Sequence, residues 1–243
     1  MGNFAAFGKT HQGSLKNMSI KDWATGERPR EKLLQRGANA LSDAELLAIL
    51  LRVGTQGMSA VDLARSLLDK YGGLGGVIHA SVDELSQHKG MGLAAYAQFA
   101  TVLEIGRRVL SEELRQQPVF NNPQVAGDFL RLRIGRERVE VSMALFLDTQ
   151  NRLIACEELS RGTVAENMAY PREVARLALQ HHAAAVLFAH NHPSGSLKPS
   201  PEDFAFTQRL QAALALLDIV LLDHVIVTTT ATVSFVEQGW LKS

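Results

Sequence analysis

The heptapeptide Ala183–Ala189, AAAVLFA, limits the fold of this chain more than any other stretch. It is short and wholly apolar, so it reads as a strand buried on both faces. Around it, helical and strand patterns alternate. Val139–Leu159, VEVSMALFLDTQNRLIACEEL, reads as a hairpin turning at Asp148–Asn151. Pro171–His182 and Ser200–Leu217 read as helices, the first with proline in its opening turn. Ile219–Thr229 and Thr232–Val236 close as strands. Strands interleaved with helices predict an α/β domain of two or three layers.

The preceding half follows a helical period. SDAELLAILL opens on Ser42 with Glu45 three residues on, a capping box ahead of an apolar run. SAVDLARSLLDKY repeats the logic from Ser59 and stops at the glycines Gly72–Gly76. A short helix starts at Ser81, and Leu93–Leu114 reads as one long amphipathic helix. Between the halves, Arg115–Asp128 carries Pro118, Pro123 and two adjacent asparagines, the composition of a linker or of the entry to a second domain. The expected organisation is a disordered 1–17, an all-α domain over 18–117 and an α/β domain over 118–243.

Composition excludes several classes. The formal net charge is +0, so no global field marks a nucleic-acid binder, although a local basic patch remains open. A single cysteine, Cys156, rules out an intrachain disulfide framework or a cysteine zinc cluster, and fits a reducing cytoplasm. The first residues lack the apolar core of a secretory signal, and the longest apolar run is broken by Asp218, Asp223 and His224. The expectation is a cytoplasmic protein without a membrane partner; its oligomeric state is open.

Where the apolar heptapeptide ends, the sequence reads His190-Asn191-His192-Pro193-Ser194-Gly195, and Asp203 follows in SPED. Residues i and i+2 of an extended chain point to one side, so both imidazoles face one ion. Two imidazole nitrogens and a carboxylate oxygen with a fourth position open are a standard catalytic zinc set. Water in that position has its pKa lowered toward about 7 and becomes a hydroxide nucleophile. Ser200-Pro201-Glu202-Asp203 is equally a good helix start, with Ser200 as N-cap, Pro201 at N1 and Asp203 near the positive end of the dipole. On spacing alone both readings stand.

The segment HNHPSGSLKPSPED resembles the zinc motif of JAMM/MPN+ metalloproteases. From Met18 onward the chain resembles the bacterial RadC-like family, through ERPREKLL, LSDAELLAILLRVGT, KGMG, LEIGRR, YPREV, AHNHPSG and LLDHVIV. Met18 matches the usual family beginning, making residues 1–17 an upstream extension or a mis-called start. The resemblance implies a deaminase-like α-β sandwich of MPN/JAB type, preceded by a smaller helix-hairpin-helix-like domain. It implies His190, His192 and Asp203 as ligands of one Zn2+ per chain. It implies Ser200 as hydrogen-bond donor to the tetrahedral intermediate and a strand-start glutamate as general base. Glu140 fits that place, ahead of Glu157 and Glu158 on the second hairpin strand.

Other polar residues have alternative readings. Asp223-His224 interrupts a strand and is either a satisfied core pair or a support for a ligand histidine. His181-His182 closes a helix, where capping is favoured over metal. Cys156 reads as a buried thiol and Arg172 as a salt-bridge partner. ELSQHKGMGLAAYAQFA resembles a helix-hairpin-helix, in which Gly90 and Gly92 present backbone N–H groups to a phosphate and Lys89, with Arg107 and Arg108, adds charge. A tight turn between packed helices explains the same glycines.

Three functions follow. The first is a zinc-dependent hydrolase, a metalloprotease or isopeptidase acting on a protein or peptide. The second is a DNA-associated repair or recombination protein that contacts DNA non-specifically through the hairpin. The third is an interaction module that keeps the metal for stability. The full set of ligands together with Ser200 and Glu140 favours the first.

Overall fold

The computed structural model describes residues 23–162 and 169–242. The expected disorder over 1–17 lies outside the described residues. The chain divides into two compact units, 1–101 and 102–243, with the division inside one long helix.

The first unit is helical: α1 (Pro29–Arg36), α2 (Asp43–Leu51), α3 (Ala60–Tyr71), α4 (Leu74–His79), α5 (Val82–Ser86) and the start of α6 (Leu93–Gln116). Its caps are those written in the sequence. Ser42 Oγ accepts from the Glu45 N–H at 3.3 Å, while Glu45 Oε2 accepts from the Ser42 N–H at 2.8 Å. Ser81 caps α5 in the same way, Ser59 Oγ accepts from the Asp62 N–H at the start of α3, and Gly72 ends α3 in the left-handed conformation at φ 71°. The core holds Leu47, Leu63, Leu67, Leu85 and Phe99, all essentially inaccessible to water. The glycine stretch does not simply end a helix; α4 begins inside it.

The second unit contains the rest of α6, then α7 (Pro123–Ile134), β1 (Glu140–Leu147), β2 (Leu153–Gly162), α8 (Pro171–Gln180), β3 (Ala185–Asn191), α9 (Pro201–Ala215), β4 (Val220–Val227) and β5 (Thr232–Ser234). The strands form one sheet in the order β2-β1-β3-β4-β5. β1 is antiparallel to β2 and β3, β3 is parallel to β4, and β4 is antiparallel to β5. Every residue of β3 is buried. Alternation along the strands divides the core in two. Met143, Leu145, Leu187 and Val225 pack with Phe129 and Leu130 of α7. Ala144, Phe146, Val186 and Phe188 pack with Val174 of α8 and Phe206 and Leu210 of α9. The result is a mixed α/β sandwich, helix on both faces of the sheet.

The stretch around Pro118 and Pro123 is ordered structure. Val119–Asn121 makes a 3-10 turn, and Pro123 occupies the first turn of α7, where the N–H it lacks has no helical partner anyway. A loop-like composition here marks a helix start.

Candidate metal centre

β3 carries His190 at its end, on the face covered by α8 and α9. His192 lies just beyond, where its N–H donates to the Val227 carbonyl at 2.9 Å. That bond keeps the chain extended, so the two rings share a side. Asp203 arrives from α9. Its Oδ2 accepts from the Ser200 N–H at 2.7 Å and from the Ser200 hydroxyl at 2.8 Å. The Asp203 N–H in turn donates to Ser200 Oγ at 3.1 Å. The capping box therefore restrains one carboxylate oxygen and leaves the other, Oδ1, facing His190.

The donor atoms converge. His190 Nε2 and His192 Nε2 are 2.9 Å apart, Asp203 Oδ1 lies 3.2 Å from the first, and Oδ2 lies 3.6 Å from the second. One ligand atom from each residue lies within 4.8 Å of the others, a group that could hold a metal ion. His192 Nδ1 stands 2.7 Å from the Ser196 carbonyl, which only accepts, so this nitrogen carries the hydrogen. In the neutral ring Nε2 is then a bare lone pair, aimed at another imidazole nitrogen and a carboxylate. Electron-rich atoms brought this close call for a cation between them, so the residues fit a metal.

The electrostatics agree. Burial opposes ionisation of Asp203, but the neighbouring imidazoles of His190 and His192 and the Ser200 backbone N–H outweigh it and hold the carboxyl well below the usual carboxylate range. Hydrogen bonding to Asp203 lifts the His192 pKa above its ordinary 6.5 against the effect of burial. His224 is displaced the other way, well below 6.5, by burial and then by the charge of His190.

Beside the ligands a small cleft opens to solvent, lined among others by Glu140, Ser142, Ser160, His190 and Asp203. Ser142 pairs with His190 across β1 and β3; carried two residues on, that register sets Glu140 level with His192. Glu157 and Glu158 are not in this lining. Glu157 Oε1 lies 3.2 Å from His181 Nε2, and Glu158 pairs with Arg161 at 2.7 Å. Ser200 reaches the site through Asp203.

Two residues without an earlier reading join the site. Asn191, between the histidines, points to the other face, where its Oδ1 accepts from the Val141 N–H at 2.6 Å. Its Nδ2 donates to the Glu137 and Val139 carbonyls at 3.2 and 3.1 Å. Thr207, one turn after Asp203, hydrogen-bonds the Asp203 carbonyl at 2.7 Å and lies 2.6 Å from His224 Nδ1. A buried polar side chain signals a partner, but nothing local says which one. The Asp223-His224 pair divides: His224 meets His190, while Asp223 accepts from the Ser234 hydroxyl at 2.5 Å and the Val236 N–H at 3.1 Å.

The remaining residues lie elsewhere. The backbone N–H of His181 closes α8 on the Leu177 carbonyl. Burial pushes the Cys156 thiol up to about 11, so it stays protonated. Arg172 is exposed beside Glu173 and over the Tyr170 ring. Lys89, Gly90 and Gly92 form the exposed turn between α5 and α6, with Met91 buried as its anchor. Arg107 donates to the Leu132 carbonyl and Arg108 pairs with Glu104. No helix among the described residues is long and apolar enough to cross a membrane.

A mixed sheet sandwiched by helices, with two strand-end histidines facing a helix-start aspartate, is the arrangement of a JAB-type domain, and residues 120–240 match the RadC-like JAB domain. Residues 20–97 match the UPF0758 N-terminal domain. A UPF0758 protein of Neisseria gonorrhoeae is 60% identical over 222 residues, covering 91% of this chain and 99% of its own. One from Ralstonia pickettii is 53% identical over the same share of both chains. The chain belongs to the UPF0758 family of proteins with a RadC-like JAB domain.

Proposed function

We propose that the chain is a JAMM-type metal-dependent hydrolase, holding one Zn2+ on His190, His192 and Asp203 and cleaving an amide bond in a protein or peptide. One observation carries the reading: the three donor atoms converge on one point, and two of their residues, His190 and Asp203, line a cleft open to solvent together with Glu140. When bound, such an ion supplies a water of lowered pKa and polarises a carbonyl.

The chain's own residues do the rest. His190 and His192 would hold the ion through Nε2 and Asp203 through its carboxylate. Glu140, in the cavity wall, takes the proton from the attacking water and returns it to the leaving nitrogen. Ser200 orients Asp203 with both its N–H and its hydroxyl. For an oxyanion role the hydroxyl hydrogen turns from Asp203 to the substrate, and the N–H keeps the carboxylate in place.

The test is a metal-dependent activity screen over peptide, isopeptide and branched DNA substrates, with Glu140→Gln as control and zinc counted by elemental analysis. About one zinc per chain in both proteins, with hydrolysis only in the wild type, is the expected result. A metal-free wild type sinks the site. Zinc without hydrolysis of any substrate favours a metal-stabilised module, and equal activity in Glu140→Gln assigns the base elsewhere.

A further inference from the structure

We infer that Thr207 and His224 are positioning residues that fix the ring tautomer of His190, leaving its Nε2 bare for the ion. This rests on the metal-site reading above and extends it to residues that touch no ion.

The argument is one of hydrogen-bond direction. The Asp203 main-chain carbonyl can only accept, so the Thr207 hydroxyl, 2.7 Å away, donates its one hydrogen there. Toward His224 Nδ1, at 2.6 Å, the hydroxyl therefore offers a lone pair, and that nitrogen carries a hydrogen. His224 is fully buried, stacked on Phe235 at 4.3 Å and edge-on to Phe188 at 4.9 Å. Its ring partners are a hydroxyl and an imidazole, with no carboxylate among them, so it is neutral and its Nε2 accepts. His190 Nδ1, 2.8 Å away, must then be the donor. A neutral His190 with hydrogen on Nδ1 has a free lone pair on Nε2, the atom facing His192 and Asp203.

The chain of bonds starts at the Asp203 carbonyl and ends at His190, whose bare Nε2 faces the Asp203 carboxylate 3.2 Å away. It ties α9, β4 and β3 together. Asp203 and Thr207 are four residues apart on α9, so one helical turn supplies both a ligand and the anchor for the other ligand's orientation. A ligand histidine is commonly held by a carboxylate, a carbonyl or water. Here a neutral imidazole takes that place. It orients the ring without adding a negative charge to the centre.

The experiment uses the full chain. Nitrogen-15 spectra of the metal-free protein, at a pH above the ordinary imidazole value, report which ring nitrogen of each histidine bears hydrogen. Both His190 and His224 are expected as the Nδ1–H form. Zn2+ affinity is then measured by chelator competition for Thr207→Val and His224→Phe, which break the relay. Thr207→Ser and His224→Gln preserve it, since an amide can accept from His190 and donate to Thr207. The breaking pair should bind Zn2+ about 10- to 100-fold more weakly, and the preserving pair like the wild type. Hydrogen on His190 Nε2 in the wild type overturns the inference, as does wild-type affinity in both breaking variants. A wild type that binds no Zn2+ defeats the metal reading instead, and the spectra alone then decide the relay.

Discussion

Asn191 grips the main chain on both sides of Glu140. Its Oδ1 takes the Val141 N–H at 2.6 Å and its Nδ2 gives to the Val139 carbonyl at 3.1 Å. One residue thus stands between the two histidines in sequence and fixes the start of the strand that carries the proposed base. Asn191→Leu leaves a buried N–H and carbonyls without partners, which costs about 3 kcal/mol in unfolding free energy. Urea denaturation of the metal-free protein measures it; a change below about 0.5 kcal/mol, the level of an ordinary surface substitution, counts against the role.

Asp203 serves both the helix cap and the metal site, and one substitution separates the two. Asn in its place still accepts from Ser200 and keeps α9 capped, so the helix start survives the exchange. The anionic ligand is gone, and zinc is lost in elemental analysis. Retention of a full equivalent of zinc by Asp203→Asn refutes the assignment of its carboxylate as ligand.

The pH dependence of metal binding follows from His192. Its pKa in the folded chain is raised above 6.5. In the metal-free protein, pairing with Asp203 therefore stabilises the fold fully below the unfolded pKa, and this is lost as pH rises through the folded one. An ion needs Nε2 without a proton, so its dependence has the opposite sign. Zn2+ affinity should rise with pH up to the raised value and then level. The depressed pKa of Asp203 and the low one of His224 keep both groups out of that window. Chelator competition across pH reads the slope; affinity that is flat from below 6.5 upward contradicts it.

Gly90 is explained by the fold of the first unit. Its φ is +86°, and a Cβ there falls 1.9 Å from Thr55 Cγ2. Gly90→Ala should cost about 1–2 kcal/mol for the left-handed backbone, plus a steric contribution. Adding Thr55→Ser removes the methyl and should recover the steric part alone. Thermal melts of the single and double variants separate the two contributions. Equal melting temperatures for Gly90→Ala and wild type would show that the turn does not need glycine.

Much of this was legible in the sequence because its signals are local. Capping boxes join residues only three apart, as at Ser42 and Ser200, and β3 declares itself by its unbroken apolar run. The His-x-His pair works through the two-residue repeat of an extended chain. What escaped depends on distant partners. Asn191 bonds Val141, 50 residues away, and Thr207 meets His224 17 residues on. Neither residue type says where its hydrogen bonds end. α7 escaped for another reason: proline and asparagine have the same composition at a helix start as in a linker.

Because the first turn of α9 is closed by the same carboxylate that faces the histidines, fraying of that helix would take away one of the three ligands proposed for an ion. Opening the turn swings Oδ1 away, and an occupied centre makes that opening rarer in proportion to its saturation. Backbone amides near Phe204 would then act as a reporter of occupancy, exchanging with solvent deuterium more slowly as zinc is added, with no substrate in hand.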